Sequence, residues 1–174
     1  MKTKIILAAL MVVGVLSGKT EKTMNETLNQ KQQALVAVAA CEAKDDQKTL
    51  ERILDDAFER GVLTVNEAKE TLSQLYAYTG FPRSLNALAS LQKVVAERRK
   101  KNRSVEVGCD ASPLPDDYDA LKQGAVVQTR MSGKPFDYAF APAVDYYLKA
   151  HLFGDIFARD VLTYSEREIV TVAA

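Results

Sequence analysis

Residues 50–88 read LERILDDAFERGVLTVNEAKETLSQLYAYTGFPRSLNAL, and their pattern decides the fold class. The first segment places apolar residues at i, i+3, i+4, i+7 and i+8, which lie on one face of a helix. They are Leu50, Ile53, Leu54, Ala57 and Phe58. Gly61 suits the left-handed position that follows a helix. Thr64 with Glu67 forms a capping box that starts a second helix, and Pro82 suits the first turn of a third. The stretch therefore predicts three consecutive helices and an all-α fold.

The helical pattern continues on both sides of this stretch. Residues 28–43 predict a preceding helix, because apolar residues follow a polar first turn. The third helix extends to residue 101 and carries four leucine and valine residues on one predicted core face. They are Leu85, Leu88, Leu91 and Val95. The basic residues 98–101 fall at its C-terminal end, where cations interact favourably with the helix dipole. The helix dipole is therefore the preferred explanation of the basic run, and not a nucleic-acid site.

Residues 102–141 differ in composition from the helices around them. They are rich in proline and glycine, yet they keep many apolar residues, which argues against a disordered linker. We expect an ordered connector with a short helix near residues 118–123 and a short extended piece at 125–129. From Pro142 the pattern predicts another helix, which ends at Gly154.

The N-terminus has the pattern of a signal peptide. Lys2 and Lys4 precede an apolar run at residues 5–16, and small residues follow it. The run is too short to span a bilayer, which takes about 20 residues. We expect residues 1–18 to be removed during export to the periplasm or the medium, leaving no membrane attachment. The alternative is a buried first helix.

Charge, cysteine and histidine content exclude several classes of function. The 23 basic and 23 acidic residues give a formal net charge of zero, so the chain lacks the concentrated basic surface that nucleic acid requires. Cys41 ends an apolar run and is expected to be a core residue, whereas Cys109 lies in a predicted loop and is expected to be free. A disulfide between them is the less favoured alternative. His151 is the one histidine, so neither a metal nor a cofactor is expected.

The chain also contains a short internal repeat. Residues 28–40, LNQKQQALVAVAA, align without a gap on residues 162–174, LTYSEREIVTVAA. The repeat predicts that a second helical module begins at the end of the chain. Thr163 or Ser165 could cap this last helix, and Glu168 is placed to complete a capping box with Ser165. We expect the helix to expose Ile169, Val170 and Val172 and so to promote association.

The stretch quoted first resembles the carboxymuconolactone decarboxylase family. The family pattern joins a helix ending in A-x-x-x-G-[LV]-[ST], a helix with glutamate, and Y-x-G-[FYP]-P-[RA]-x-x-x-A. The matching residues are Ala57, Gly61, Thr64, Glu67, Glu70, Tyr78, Gly80, Pro82, Arg83, Asn86 and Ala87. Residues 146–174 are similar to the junction between the two modules of tandem members, where an R-E-[LI]-[VA]-T-[IV]-A run opens the second module. The resemblance implies an all-α module of the alkylhydroperoxidase D-like type that assembles as trimers or hexamers.

The resemblance also divides the chain and suggests its chemistry. It implies a first module at residues 28–101, a connector at 102–141, and a junction helix with the first helix of a truncated second module at 142–174. The implied activities are a thiol-dependent peroxidase of the peroxiredoxin type and a decarboxylase of 4-carboxymuconolactone, a small organic substrate.

By the resemblance, the candidate catalytic residues are Glu70 and Glu168. Their alternative roles are a solvated carboxylate and a helix cap. The family's cysteine pair would fall near residues 43–51, which contain no cysteine, and Ile53 and Gln74 stand where the family often has histidine. We therefore expect impaired catalysis. The alternative is a non-catalytic module that oligomerises or binds a small ligand.

Overall fold

Every regular element in the described part of the chain, residues 28–174 of a computed structural model, is helical. The elements are α1 Gln30–Ala43, α2 Gln47–Glu59, α3 Val65–Thr79, α4 Phe81–Lys100, α5 Ala120–Ser132, α6 Pro142–Tyr146, a π-helix Tyr147–Ile156 and α7 Tyr164–Ala173. The all-α prediction is confirmed for this range. The predicted signal peptide lies outside it. None of the helices in residues 28–174 is long and apolar enough to cross a bilayer.

Local capping chemistry sets the boundaries of the first helices. Asp46 accepts a hydrogen bond from the Thr49 amide at the start of α2. The predicted capping box of Thr64 and Glu67 is present at the start of α3. Gly61 adopts φ +62°, the left-handed conformation that glycine reaches at no steric cost. These boundaries follow directly from the sequence.

The core lies between α1, α2, α3, α4 and α7. Its fully buried leucines include Leu35, Leu50, Leu54, Leu72 and Leu75. On α4 the core face contains Ala87, Leu91, Val94 and Val95.

One sequence prediction for α4 is wrong. Leu85 is 60% exposed, because it lies roughly 200° around the helix from the buried Ala87. Arg98 is 2% exposed and pairs with Asp55 at 2.7 Å and with Glu59 at 2.8 Å. It lies in the last turn of α4, as predicted. The C-terminal half of α2 supplies the carboxylates that make its burial possible.

The last helix, α7, packs against α1 and α3 of the same chain. The predicted exposure of Val170 is wrong, because those two helices cover it completely, and Ile169 is half-buried. Val172 is 75% exposed, as expected. Thr163 and Glu166 form the capping box, so the predicted Ser165–Glu168 box is wrong.

The helix starts follow the internal repeat. Asn29 caps α1 in a capping box with Gln32, and Thr163 caps α7 in the same way with Glu166. Both pairs stand at equivalent positions of the aligned stretches 28–40 and 162–174. The repeat therefore reproduces the capping chemistry of two neighbouring helices.

The connector contains a full helix, α5, which packs along the π-helix. The predicted extended piece at residues 125–129 is wrong, because these residues lie inside α5. The predicted end at Gly154 is also wrong, since the π-helix runs on to Ile156. A Cβ on Gly124 would overlap the Lys149 carbonyl oxygen, and one on Gly154 would overlap that of Ala120. Both glycines therefore permit close backbone packing.

Candidate functional site

The carboxylate of Glu70 lies at the centre of a polar cluster between α3 and α7. Its side chain is only 8% exposed. Arg159 Nε donates to Oε1 at 2.8 Å, and Arg167 Nη2 donates to Oε2 at 3.1 Å. The alternative of a solvated Glu70 is therefore wrong. Docking of α7 brings Arg167 against α3 and excludes water from the carboxylate.

Arg167 is the buried cation of this cluster. Its side chain is 0% exposed, and it donates to Gln74 Oε1 at 3.0 Å and to the Arg159 carbonyl oxygen. The guanidinium also lies 5.7 Å from the centre of the Phe157 ring, within range of a cation–π contact. Burial lowers the pKa of the Arg167 guanidinium, and the Glu70 carboxylate opposes that shift. The sequence analysis missed this residue.

Gln74 links the two helices of the site. It is completely buried, and its Nε2 donates to the Arg167 carbonyl at 2.8 Å and to Thr171 Oγ1 at 2.9 Å. Its Oε1 accepts from Arg167. A side-chain amide is neither protonated nor deprotonated near neutral pH, so Gln74 at this position serves packing and not proton transfer.

The structure does not bring Glu168 to Glu70. Glu168 is half-buried on α7 and has no hydrogen bond or ion pair with the Glu70 cluster. Burial raises the pKa of its carboxyl group. The nearby Tyr78 hydroxyl has a raised pKa through burial, with a further contribution from Glu168. The alternative role of Glu168 as a helix cap is wrong, because Glu166 fills it.

A groove of about 640 Å³ opens beside Glu70 between α3 and α4. Its wall carries three cations, Lys69, Arg99 and Arg159, and the single carboxylate Glu70. The other lining residues are mainly aliphatic. They are Val65, Ser73, Leu88, Leu91, Gln92, Val95 and Ala96. The groove thus combines an apolar floor with a positive rim.

A second groove of about 260 Å³ adjoins the first and shares Glu70, Ser73, Leu88 and Arg159 with it. It extends to Tyr76 and Phe81, whose rings stack with centroids 4.3 Å apart. The Tyr76 hydroxyl is buried and has no hydrogen-bond partner among residues 28–174. The two grooves form one surface that runs from a cationic end to an aromatic end.

The cysteines lie apart from this site. Cys41 is half-buried and Cys109 is exposed, and both are free thiols. Burial raises the pKa of the Cys41 thiol, whereas a reactive thiol needs a lowered one. Residues 43–51, where the family's cysteine pair would fall, contain the start of α2.

The histidine is a surface residue. His151 Nδ1 lies 2.8 Å from Asp155, and its ring lies 5.6 Å from that of Tyr76. Within the described range, no group of three histidine, cysteine, aspartate or glutamate side chains is arranged to hold a metal ion.

Comparison with known proteins found no family model that matches the chain and no matching curated protein. The resemblance to the carboxymuconolactone decarboxylase family therefore rests on the residues quoted above.

Proposed function

We propose that the chain is a non-catalytic helical module of the carboxymuconolactone decarboxylase type that binds a small organic ligand between α3 and α4. The observation that carries this proposal is the 640 Å³ groove with the locked Glu70–Arg159 pair in its wall. Ligand sites are typically clefts of this size with apolar walls and a few fixed polar groups.

The hydrogen bonds of Glu70 argue against a catalytic role. A general base needs an oxygen within reach of the proton that it takes. Each oxygen of Glu70 already accepts from a guanidinium group, and the carboxylate is nearly buried. In this arrangement Glu70 positions Arg159 at the groove wall.

The enzymatic alternative is the family-level activity, a thiol-dependent peroxidase or a lactone decarboxylase. It is supported by the resemblance and by the position of Glu70. It is tested by reduction of an organic hydroperoxide with a dithiol as electron donor, and by decarboxylation of 4-carboxymuconolactone. We expect neither reaction above the buffer rate. Turnover that is lost in a Glu70→Gln variant would overturn the non-catalytic proposal.

Ligand binding is tested with a blocked groove. A library of small organic compounds is screened by thermal shift, and the hits are measured by calorimetry. Leu88 lines both grooves, so Leu88→Trp should abolish binding of the hits. Val126→Trp is the matched control, because Val126 is 61% exposed on α5 and lines neither groove. Hits that bind both variants equally well, or no hits at all, would contradict the proposal.

Two further proposals follow from the sequence. The family resemblance implies a homo-oligomer, a trimer or a hexamer, and the exposed aromatic side chains of the α5–α6 region support an interface. The N-terminal pattern implies export of a chain that starts near residue 19.

A further inference from the structure

We propose that the ligand of the α3–α4 groove is an amphipathic organic acid, such as a medium-chain fatty acid. Its carboxylate would lie between Lys69 and Arg99, and its apolar body would extend along the groove toward Phe81. This inference rests on the proposed binding function and names the chemical class of the ligand.

The first argument is the pairing of the cations. Most buried or half-buried cations of the described chain contact carboxylates. They are Lys31, Arg98, Arg103, Lys149 and Arg167, and the exposed Arg159 also contacts a carboxylate. Lys69 and Arg99 are exposed; Lys69 contacts only the Asn66 amide oxygen, at 3.2 Å, and Arg99 has no acidic partner among residues 28–174. Both line the groove, so the rim offers two cations without a carboxylate of the protein.

The second argument is the charge that surrounds the groove. Glu70 does not make the groove acidic, because Arg159 and Arg167 both pair with it. Among the lining residues, the three cations Lys69, Arg99 and Arg159 outnumber the one carboxylate, and Asp110 and Asp160 act on Arg159 from outside the lining. Such a site favours an anion and disfavours a metal cation or an amine.

The position of Arg99 on α4 places its charge at one end of the groove. Arg99 lies eleven residues after Leu88 on α4, which corresponds to about 16 Å along the helix. Helical side chains tilt toward the N-terminus of their helix, so Arg99 points back along the groove. The lining between these two residues is largely Leu91, Val95 and Ala96. An acid with a short body would leave most of this apolar floor in contact with water.

The aromatic end supplies a place for the remote part of the ligand. Phe81 is 60% exposed although it stacks on Tyr76, and Leu85 beside it is also 60% exposed. Both line the second groove with Ile156. Covering this apolar surface stabilises a complex by roughly 25 cal/mol for each Å² removed from water.

The test uses decanoate as the probe and isothermal titration calorimetry below the micellar concentration. Decyltrimethylammonium has the same chain with the opposite charge, and acetate has the same head group without the chain. We expect decanoate to bind at least tenfold more tightly than either of them. The assignment would be overturned if decyltrimethylammonium, or acetate, bound as tightly as decanoate. Co-sedimentation of the protein with anionic phospholipid vesicles, without binding of free decanoate, would also overturn it in favour of a membrane surface.

Matched variants test the placement of the carboxylate. The double variant Lys69→Gln/Arg99→Gln should weaken decanoate binding about fivefold to tenfold, since two partly exposed charge pairs are lost. The control Lys44→Gln/Lys100→Gln removes the same charge from exposed positions outside the groove and should leave affinity unchanged. Equal losses in both double variants would mean that net charge alone attracts the acid, and would contradict the proposed placement.

The outcomes separate this inference from the proposed function. If decanoate does not bind, but another compound binds the native protein and does not bind Leu88→Trp, the ligand class is wrong and the binding function stands. If neither decanoate nor any compound of the library binds, both proposals are wrong.

Discussion

Arg167 is a cation with no exposure to solvent that joins α7 to α3. Sequence reasoning missed it because arginine is usually exposed. A signal was present, since Arg167 lies three residues before Val170 on the same face of α7. A charge on an apolar helical face predicts a buried partner, and that partner is Glu70.

Removing Arg167 should therefore destabilise the fold strongly. We expect Arg167→Met to lower the free energy of unfolding by about 3 kcal/mol, because it leaves a buried carboxylate with one partner fewer. Arg159→Met is the matched control. Arg159 pairs with the same carboxylate but is 52% exposed, so its loss should cost under about 1 kcal/mol. Urea unfolding measures both variants. Equal losses would contradict the assignment of Arg167 as the structural partner.

Glu42 is a second buried carboxyl group, in the last turn of α1. It is 0% exposed, its Oε1 accepts from the Thr79 hydroxyl at 2.7 Å, and its Oε2 has no partner among the described residues. Burial raises the pKa of Glu42, Asp45 adds to the shift, and Thr79 and Arg83 oppose it. In the unfolded chain the group titrates near its ordinary value of about 4.3.

The raised pKa of Glu42 predicts a loss of stability with rising pH. Above pH of about 4.3 the unfolded chain releases this proton first, so the folded chain holds more protons and the free energy of unfolding falls. The fall ends once the pH passes the raised pKa of the folded chain. We expect Glu42→Gln to raise the free energy of unfolding by more at pH 7.5 than at pH 4, each time compared with the native protein. Urea unfolding measures both proteins at both pH values. Glu97→Gln, at an exposed position, should show no such change. If Glu42→Gln gains nothing between these pH values, the carboxyl group is not destabilised by burial.

At the scale of elements, the packing of α5 on the π-helix depends on two glycines. An exposed glycine in a helix is normally improved by alanine, by about 1 kcal/mol. At Gly124 and Gly154 the new methyl group would instead meet a backbone carbonyl that cannot move as a side chain can. Whether alanine raises or lowers the free energy of unfolding at these positions therefore reports directly on this contact.

We expect Gly124→Ala to destabilise the protein by about 1–3 kcal/mol, the usual cost of overpacking. Gln123→Ala is the control on the exposed side of α5 and should change stability by less than about 0.5 kcal/mol. Thermal unfolding followed by circular dichroism measures the difference. A more stable Gly124→Ala protein would show that the two helices do not approach as closely as described.

The elements also show which features can be predicted from sequence. Helix starts at Asp46, Thr64 and Thr163 depend on hydrogen bonds within one turn, so a short window of sequence suffices. The predictions of an extended piece at residues 125–129 and of a helix end at Gly154 were wrong. Close contact between two helices that are distant in the sequence determines both features. The exposure of Leu85 and the burial of Val170 depend likewise on how whole helices pack.

The candidate site was predicted in part for the same reason. Glu70 was identified from its place in a recurrent motif, but its two arginine partners come from residues 159 and 167, far along the chain. The groove is made by side chains of α3 and α4 that are each unremarkable in sequence. Only the docking of complete helices brings these groups together.

At the scale of the whole molecule, four of the six exposed aromatic side chains among residues 28–174 lie in one region. Tyr138, Phe140, Tyr146 and Tyr147 are between 41% and 90% exposed. They lie within or just before α6 and the π-helix, on the part of the chain that packs mainly on α5. Large exposed apolar patches usually mark interaction surfaces.

We expect the protein to associate with itself through this region, with a sedimentation mass above the 19.2 kDa of the chain that rises with concentration. Phe140→Ser/Tyr147→Ser should shift the distribution toward the monomer. Val107→Ser/Leu114→Ser is the control, because these residues are also exposed but lie in the connector before α5. A monomer at all concentrations, or an equal effect of the two double variants, would contradict an interface at these aromatic residues.

The most specific proposal for this protein is that the α3–α4 groove binds an amphipathic organic acid. The most direct measurement is a titration of ¹⁵N-labelled protein with decanoate, followed by amide chemical shifts. We predict saturable shifts confined to residues 65–73 of α3, residues 81–99 of α4 and the neighbourhood of Arg159, and their loss in Leu88→Trp. Shifts that cluster instead on the exposed aromatic residues of α6 and the π-helix, or no shifts at all, would contradict it.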